Sequence, residues 1–582
     1  MFGAIRRCAA AIAPLGCAAC VGSAGAHGLS APLADLVLLH GVVVTVDSIH
    51  PAAQAVAVAG DSIVAVGSDA DIQKYVGSGT RVIDLHGATA IPGFNESHGH
   101  FMGLGEAKME LDLTKAHTWD DIVQMVAEAV RTAKPGAWIQ GRGWHQEKWD
   151  KPPQPNVDGL PLGDKLAAVS PNNPVVLTHA SGHAVFANRK ALELAGIGPN
   201  TPNPPGGEIV RDARGRAIGM LRDRAAGLVN AALAKAQAGR SPDEIRAHDV
   251  RAVALAAQDA LSKGITTFQD QGESFATLTF LKDLAAQGKL PIRLYAMVGV
   301  TSPEALDAQL AAMKTLNFAH DHFTIRTIGE VTTDGALGTQ SAWFLAPYAD
   351  LPSSSGFPVV PPDQVRRIAE LAVKYGYQVT AHAIGDRANR ETLNVFEAVF
   401  KEHPELRDPR WRIEHAQHLD PADIPRFGQL HVIASMQGIH ACSDGPYVVK
   451  RLGEKRAKTG AYVWRSLMST GAIIANGTDV PVEDEDPIPN YACSVTRRLA
   501  DGTLFYPEQK MTRAEALRSY TLNAAYAMFA ERRLGSLTPG KLADITVLDR
   551  DIMTVPDNQI PGTKVLYTIV GGTIAYRAAG VR

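Results

Sequence analysis

The stretch IPGFNESHGHF, Ile91 to Phe101, sets His98 and His100 one residue apart, just after a Pro-Gly corner. On an extended strand, residues two apart point to the same side, so both imidazoles could bind one metal ion. The pair alone decides little. With 19 histidines in 582 residues an H-x-H triplet is expected nearly once by chance, and His320-Asp321-His322 is a second one. What decides is whether other ligand types gather beside it.

The elements that would gather them are legible as alternating periodicities. Apolar, β-branched runs at 92–100, 264–270, 291–300, 323–332, 378–383, 410–416, 431–437 and 472–479 alternate with helical patterns such as PEALDAQLAAMKTL and PDQVRRIAELAVKYG, whose apolar residues recur three to four apart. Strands alternating with helices predict a parallel sheet, and eight strands close a TIM-like (β/α)8 barrel. In such a barrel the chemistry sits at the C-terminal ends of the strands. Strand one ends in His98 and His100, strand four carries Glu330 with Thr332 and Asp334 beyond it, strand five ends at His382, strand six at His415 and strand eight at Asp479. Four histidines and two carboxylates suit one or two divalent ions per subunit, zinc foremost. His320 and His322 precede strand four, so they are expected at the bottom of the barrel or on its surface.

Both ends of the chain have a different texture. DLVLLHGVVVTVDS and AQAVAVAGDSIVAVGS near the start, and ADITVLDRD and KVLYTIVGGTIAYR near the end, read as short antiparallel strands with tight turns. They predict a small β-sandwich domain built from residues 34–91 plus 532–582, with the barrel over 92–531. More than 160 residues separate the first two barrel strands. A structureless loop of that length is implausible, so roughly 104–262 is expected to form an insertion subdomain over the barrel mouth.

Residues 1–26 read as a signal peptide: Arg6-Arg7, then the uncharged run CAAAIAPLGCAACVGSA, then Ala24-Gly25-Ala26 as an A-x-A cleavage pattern. This predicts a periplasmic or secreted protein. A membrane anchor would need about 20 strongly apolar residues, and this Ala/Gly-rich segment is a poor one. A twin-arginine route through Arg6-Arg7, or a lipidated Cys17 or Cys20, lacks a convincing flanking pattern. Cleavage would leave two cysteines, Cys442 and Cys493, which make no disulfide framework. The net charge of −3, without a basic patch, argues against a nucleic-acid partner. The expected partner is a small-molecule substrate, without stable membrane insertion and with a homo-oligomer left open.

Together PGFNESHGH, AHAIGDRAN, EHAQ, NGTDVPV and PGKLADITVLD resemble the metal-dependent amidohydrolase superfamily, most closely the branch related to N-substituted formamide deformylases, amidohydrolase family 3. The resemblance spans nearly the whole chain after the leader. It implies that His98, His100, His382 and His415 are metal ligands, that Glu330 supplies a bridging group and that Asp479 is a ligand and the base. At the position of Glu330 related sequences usually carry a carboxylated lysine, so this chain departs from the pattern. Glu330 offers a carboxylate without modification, and the expectation is a bridged two-metal site; the simpler alternative is one ion that Glu330 does not reach.

A metal lowers the pKa of bound water from about 15.7 to near 7, which gives hydroxide at neutral pH. Asp479 would take the proton during attack on a carbonyl and pass it to the leaving amine. The expected activity is hydrolysis of a non-peptide C–N bond in an amide, N-substituted formamide, carbamate or cyclic amide. A lactonase, esterase or deaminase would use the same site, and a binding protein that lost catalysis is the alternative from another class. His183, in HASGHAVFAN, is a candidate donor to the substrate carbonyl from the insertion. Asp386 and Arg387 read as a structural pair, Glu414 as a residue facing away from His415, Asp334 as a site or turn residue, and Trp144, Trp149 and Trp343 as pocket or core.

Overall fold

The computed structural model describes residues 33–581; the expected signal peptide lies outside the described residues. The two ends of that chain do pair. Thr89–Pro92 runs antiparallel to Ile545–Leu548, with Ile91 opposite Thr546, in a six-stranded sheet that also holds Val565–Val570 and Thr573–Arg577. A four-stranded sheet of Leu36–Leu39, Ala55–Ala59, Ser62–Gly67 and Arg81–Asp84 packs on it, and Leu38, Val58 and Ile83 meet Ile545, Val547 and Ile569 in a common core. Both faces are covered: Val37, Leu39, Ala55 and Ala57 form a second small core on the outer side of the four-stranded sheet, and Ile91 and Leu548 join the barrel core, as continuous rather than alternating apolar runs allow.

Pro92 ends the shared sheet and Gly93 turns the chain into the barrel. The backbone there lies so close to Thr266 that a Cβ on residue 93 would sit 2.2 Å from its hydroxyl oxygen, so only glycine fits. We number the barrel strands β1 (Phe94–Gly99), β2 (Ile265–Glu273), β3 (Arg293–Val298), β4 (Phe323–Thr332), β5 (Gln378–Ala383), β6 (Arg412–His415), β7 (Ile433–Gln437) and β8 (Ile474–Gly477). They lie in sequence order in one parallel sheet. All eight coincide with the segments read from the sequence. β8 approaches β1 to complete a nearly closed barrel: the Asp479 N–H donates to the His98 carbonyl at 2.7 Å and the His100 N–H to the Val480 carbonyl at 2.8 Å. Gly477 allows this approach, because a Cβ there would lie 2.3 Å from Glu96 Oε1.

The outer helices form for ordinary reasons. Pro362–Tyr375 buries Val365, Ile368, Ala369 and Ala372 along one stripe and stops at Gly376, whose φ of 68° belongs to a left-handed cap. The segment between β1 and β2 folds around its own six-stranded sheet, which runs from Leu111–Asp112 to Gly207–Arg211 and packs on Trp119, Trp144, Trp149 and Phe186. Helix Pro242–Ser262, placed by the sequence within the insertion, belongs instead to the barrel wall. Its Ala252, Ala256 and Ala260 join the barrel core, and Gly105 lies against the carbonyl of Ala252. The small alanine face lets two helices touch closely, a spacing signal that the strand count alone overlooked. No helix among the described residues is long and apolar enough to cross a membrane.

Candidate metal centre

Parallel strands deliver their last side chains to one end of the barrel, and there the six expected residues converge. His98 Nε2 lies 3.3 Å from Asp479 Oδ1 and 3.8 Å from Glu330 Oε2. His100 Nε2 lies 3.3 Å from Asp479 Oδ1 and 3.9 Å from Glu330 Oε1. His382 Nδ1 and His415 Nε2 approach Glu330 Oε2 at 3.6 and 3.7 Å. Glu330 thus stands among all four histidines, with one oxygen toward His100 and the other toward the remaining three. His415 and Asp479 reach the centre from left-handed backbone, with φ of 69° and 61°. Such conformations cost about 1–3 kcal/mol for non-glycine residues and persist where the surroundings enforce them.

The residues around this cluster set which nitrogen of each ring faces inward. Glu414 Oε2 sits 2.7 Å from His98 Nδ1, so Nε2 of that ring is left to the centre. Glu414 also pairs with Arg412, whose guanidinium donates to Gln269 Oε1, the Ser97 carbonyl and Ser435 Oγ. Gln437, the last residue of β7, holds His415 Nδ1 at 2.8 Å. Asp334 accepts backbone N–H groups from Trp343, Ile384 and Gly385 and lies 3.5 Å from His382 Nε2, so it serves the turn and the site at once. Burial pushes its carboxyl up to about 7.

These residues fit a divalent cation. His98 Nε2, His382 Nδ1 and Glu330 Oε2 are buried with no hydrogen-bond partner, an arrangement that costs free energy unless something electrophilic occupies the gap. Glu414 faces the Arg412 guanidinium, while Glu330 and Asp479 stand among the histidines. Burial opposes their charge, yet the surrounding histidines hold Glu330 and Asp479 well below the usual carboxylate range. Burial likewise disfavours a proton on His98, but the Asp479 and Glu414 charges hold its ring well above its ordinary value: the site draws in a positive charge. Burial and the neighbouring His415 push His382 down to about 4, so it is a neutral donor. Ligating atoms of His98, His100 and Asp479 form one close group, those of His98, Glu330 and His415 a second, and those of His415, His440 and Asp479 a third.

The other sequence candidates separate cleanly. His183 arrives from the insertion with its ring centroid 4.7 Å from that of His382, and its Nδ1 meets Asp223 Oδ1 at 2.9 Å. Burial works against charge on this ring, and Asp223 outweighs it, leaving the pKa above its ordinary value. Asp386 and Arg387 do not act as a pair: Asp386 accepts the Leu345 N–H, while Arg387 lies over the Trp343 ring, and both steady the loop at 343–345. Trp144 is buried in the insertion core beside Trp149. His320 precedes β4 and uses its carbonyl to receive Arg293, which also binds Asp544 of the β-sandwich, far from the centre.

Several residues around the centre escaped the sequence reading. A cavity of about 40 Å³ over the cluster is walled by His145, His440, Asp444 and Tyr447 as well as His183. It shares Lys148 and Glu483 with a cleft of about 710 Å³ between the insertion and the barrel. His440 was within reach of sequence reasoning, since it lies three residues beyond the end of strand seven; His145 and Tyr447 carried no signal. Cys442 and Cys493 form one disulfide, joining helix Gly438–Leu452 to helix Pro487–Thr496.

A model of the amidohydrolase family matches residues 81–576. Protein LONG AFTER FAR-RED 3 of Arabidopsis thaliana is 35% identical over 558 residues, covering 94% of this chain and 92% of its own length. N-substituted formamide deformylase of Arthrobacter pascens is 29% identical over 570 residues, 94% of this chain and 99% of that protein. The crystal structure of an uncharacterized metal-dependent hydrolase from Pyrococcus horikoshii superposes with a TM-score of 0.69 at 27% identity, covering 90% of this chain and 99% of the other.

Proposed function

The chain belongs to the amidohydrolase family, and from that premise we propose that it is an exported, metal-dependent hydrolase of non-peptide C–N bonds in amides, N-substituted formamides, carbamates or cyclic amides. The observation that carries this reading is the convergence of His98, His100, Glu330, His382, His415 and Asp479 at one end of the barrel, with buried ligand atoms left unpartnered. A binding protein descended from such an enzyme would be under no constraint to keep all six.

His98, His100, His382, His415, Glu330 and Asp479 would hold one or two divalent ions, zinc foremost. When bound, such an ion supplies an acidified water and polarises the substrate carbonyl. Asp479 takes the proton from the attacking water and returns it to the leaving amine, so the C–N bond breaks as nitrogen is protonated. His183, steadied by Asp223, donates a hydrogen bond from the insertion to the carbonyl oxygen, where negative charge develops. Glu414 and Gln437 keep the His98 and His415 rings oriented. The similarity to N-substituted formamide deformylase supports formamides as the first substrates to try.

Export is supported by the Ala24-Gly25-Ala26 pattern and by the Cys442–Cys493 bridge, a bond that oxidising compartments permit. Expression of the full chain in a bacterium tests it: a mature N-terminus at His27 supports export, and an intact Met1 in the cytoplasm contradicts it. The activity is tested by metal quantification and by a panel of N-formyl, N-acyl, carbamate, lactone and aminopurine compounds. Amine release from an amide or formamide is expected; turnover of lactones alone, or ammonia release alone, would replace the reading with a lactonase or a deaminase.

A further inference from the structure

The catalytic scheme gives the leaving nitrogen its proton from Asp479 but assigns no residue to accept the hydrogen that the amide nitrogen already carries. His440 stands on the first turn of helix Gly438–Leu452, directly after β7, and is almost entirely buried. Its ring lies parallel to that of His415, with centroids 6.3 Å apart, and one of its nitrogens lies within 4.8 Å of the ligating atoms of His415 and Asp479. Its Nε2 is buried without a hydrogen-bond partner, and the residue lines the cavity over the centre. A buried imidazole nitrogen left without a partner, on a residue that borders a reaction cavity, gains from a hydrogen bond to a bound molecule.

The position is fixed firmly enough for recognition. The Gly438 N–H donates to Asn476 Oδ1 at 2.9 Å, and a Cβ at 438 would collide with Asn490 and Ser494, so the helix start is seated against its neighbours. Two residues beyond His440, the Cys442–Cys493 bridge pins the same turn. His183 approaches from the insertion beside His382 of β5, with ring centroids 4.7 Å apart, and is assigned to the carbonyl oxygen. Asp479, which delivers the proton to the leaving nitrogen, is the neighbour of His440.

We propose that His440 is a substrate-contacting residue, whose Nε2 accepts a hydrogen bond from the N–H of the scissile amide and so favours substrates that carry a hydrogen on that nitrogen. The inference rests on the C–N hydrolase reading. The imidazole accepts through the lone pair of Nε2, the nitrogen that the surrounding protein leaves without a partner. An ester isostere has no such hydrogen and gains nothing from the residue.

The test compares wild type, His440→Ala and His440→Gln on an N-alkylformamide and on the matching alkyl formate, with bound metal measured for each protein. Loss of one hydrogen bond to a buried acceptor predicts a fall in kcat/KM of about tenfold or more for the formamide in His440→Ala, carried mainly by KM, and a much smaller fall for the formate. His440→Gln, which offers an oxygen near the same place, recovers part of the loss. Equal losses on both substrates would overturn the proposal, as would an unchanged formamide rate. A drop in bound metal in the variants would overturn it too, since His440 would then be a ligand. Wild type that splits the formate but not the formamide would instead remove the C–N reading on which the proposal rests.

Discussion

Glu414→Gln is the perturbation that most sharply separates a tuned metal centre from a chance gathering of histidines. Glu414 touches no proposed substrate and is not a ligand; it holds the His98 ring at 2.7 Å and pairs with Arg412 Nε at 2.7 Å, all fully buried. Glutamine keeps the volume and removes the charge. Two consequences follow. Arg412 loses its counter-charge but keeps Gln269, Ser97 and Ser435 as acceptors, so the stability loss falls near the lower end of the range for breaking a buried pair, about 3 kcal/mol. His98 loses the anion that fixes its tautomer and raises the basicity of Nε2, and removal of such a partner weakens metal affinity by about 10–100-fold. Competition with a chelator measures the affinity, and urea unfolding measures the stability. Metal affinity within twofold of wild type, in a folded variant, would refute the role of Glu414 and weaken the assignment of His98 as a ligand.

Four further outcomes are expected. Asp479→Asn should cut turnover about 10²–10⁴-fold, the range for losing a general acid–base, and unchanged turnover in the metal-loaded variant would sink the proton-transfer role. Asp270, three residues before the end of β2, is raised from 3.8 to about 6 by burial. The folded protein therefore keeps a proton that the unfolded chain releases, so stability falls as pH rises from about 4 to about 6, by up to about 3 kcal/mol. In metal-free protein, Asp270→Asn should gain on wild type across that window, and parallel urea-unfolding curves would contradict this. Cys442→Ser opens a loop of 51 residues and should cost up to about 4 kcal/mol, read as a lower melting temperature; an unchanged melt would mean the bridge contributes nothing. His320→Ala should leave bound metal unaltered, and lost metal would show that the second H-x-H triplet is no decoy.

The barrel was legible because most of its strands are short apolar runs that alternate with helical segments, as Gln378–Ala383 does with Pro362–Tyr375 and Asp386–Glu402, a pattern that depends on local sequence. The six centre residues followed from it, since a parallel sheet puts every strand end at one rim. What pairs across the chain was harder. Strand parity said that Glu414 faces away from His415, but nothing in the sequence could say that it meets His98, 316 residues away. The disulfide escaped for the same reason: two cysteines 51 residues apart carry no sign that their helices lie side by side. The sheet order of the insertion is likewise non-local. His440 was missed by a rule applied too narrowly, because strand seven ends at Gln437 and the group facing the cavity sits on the next helical turn.

The central claim is that hydrolysis of a C–N bond depends on a divalent ion held by the strand-end residues. It is tested most directly by stripping the purified protein of metal with a chelator, adding back zinc or manganese, and following amine release from an N-alkylformamide. The account predicts no release from the stripped protein and recovery with one or two ions bound per subunit. Equal release with and without metal, or none from fully loaded protein across the amide and formamide panel, would contradict it.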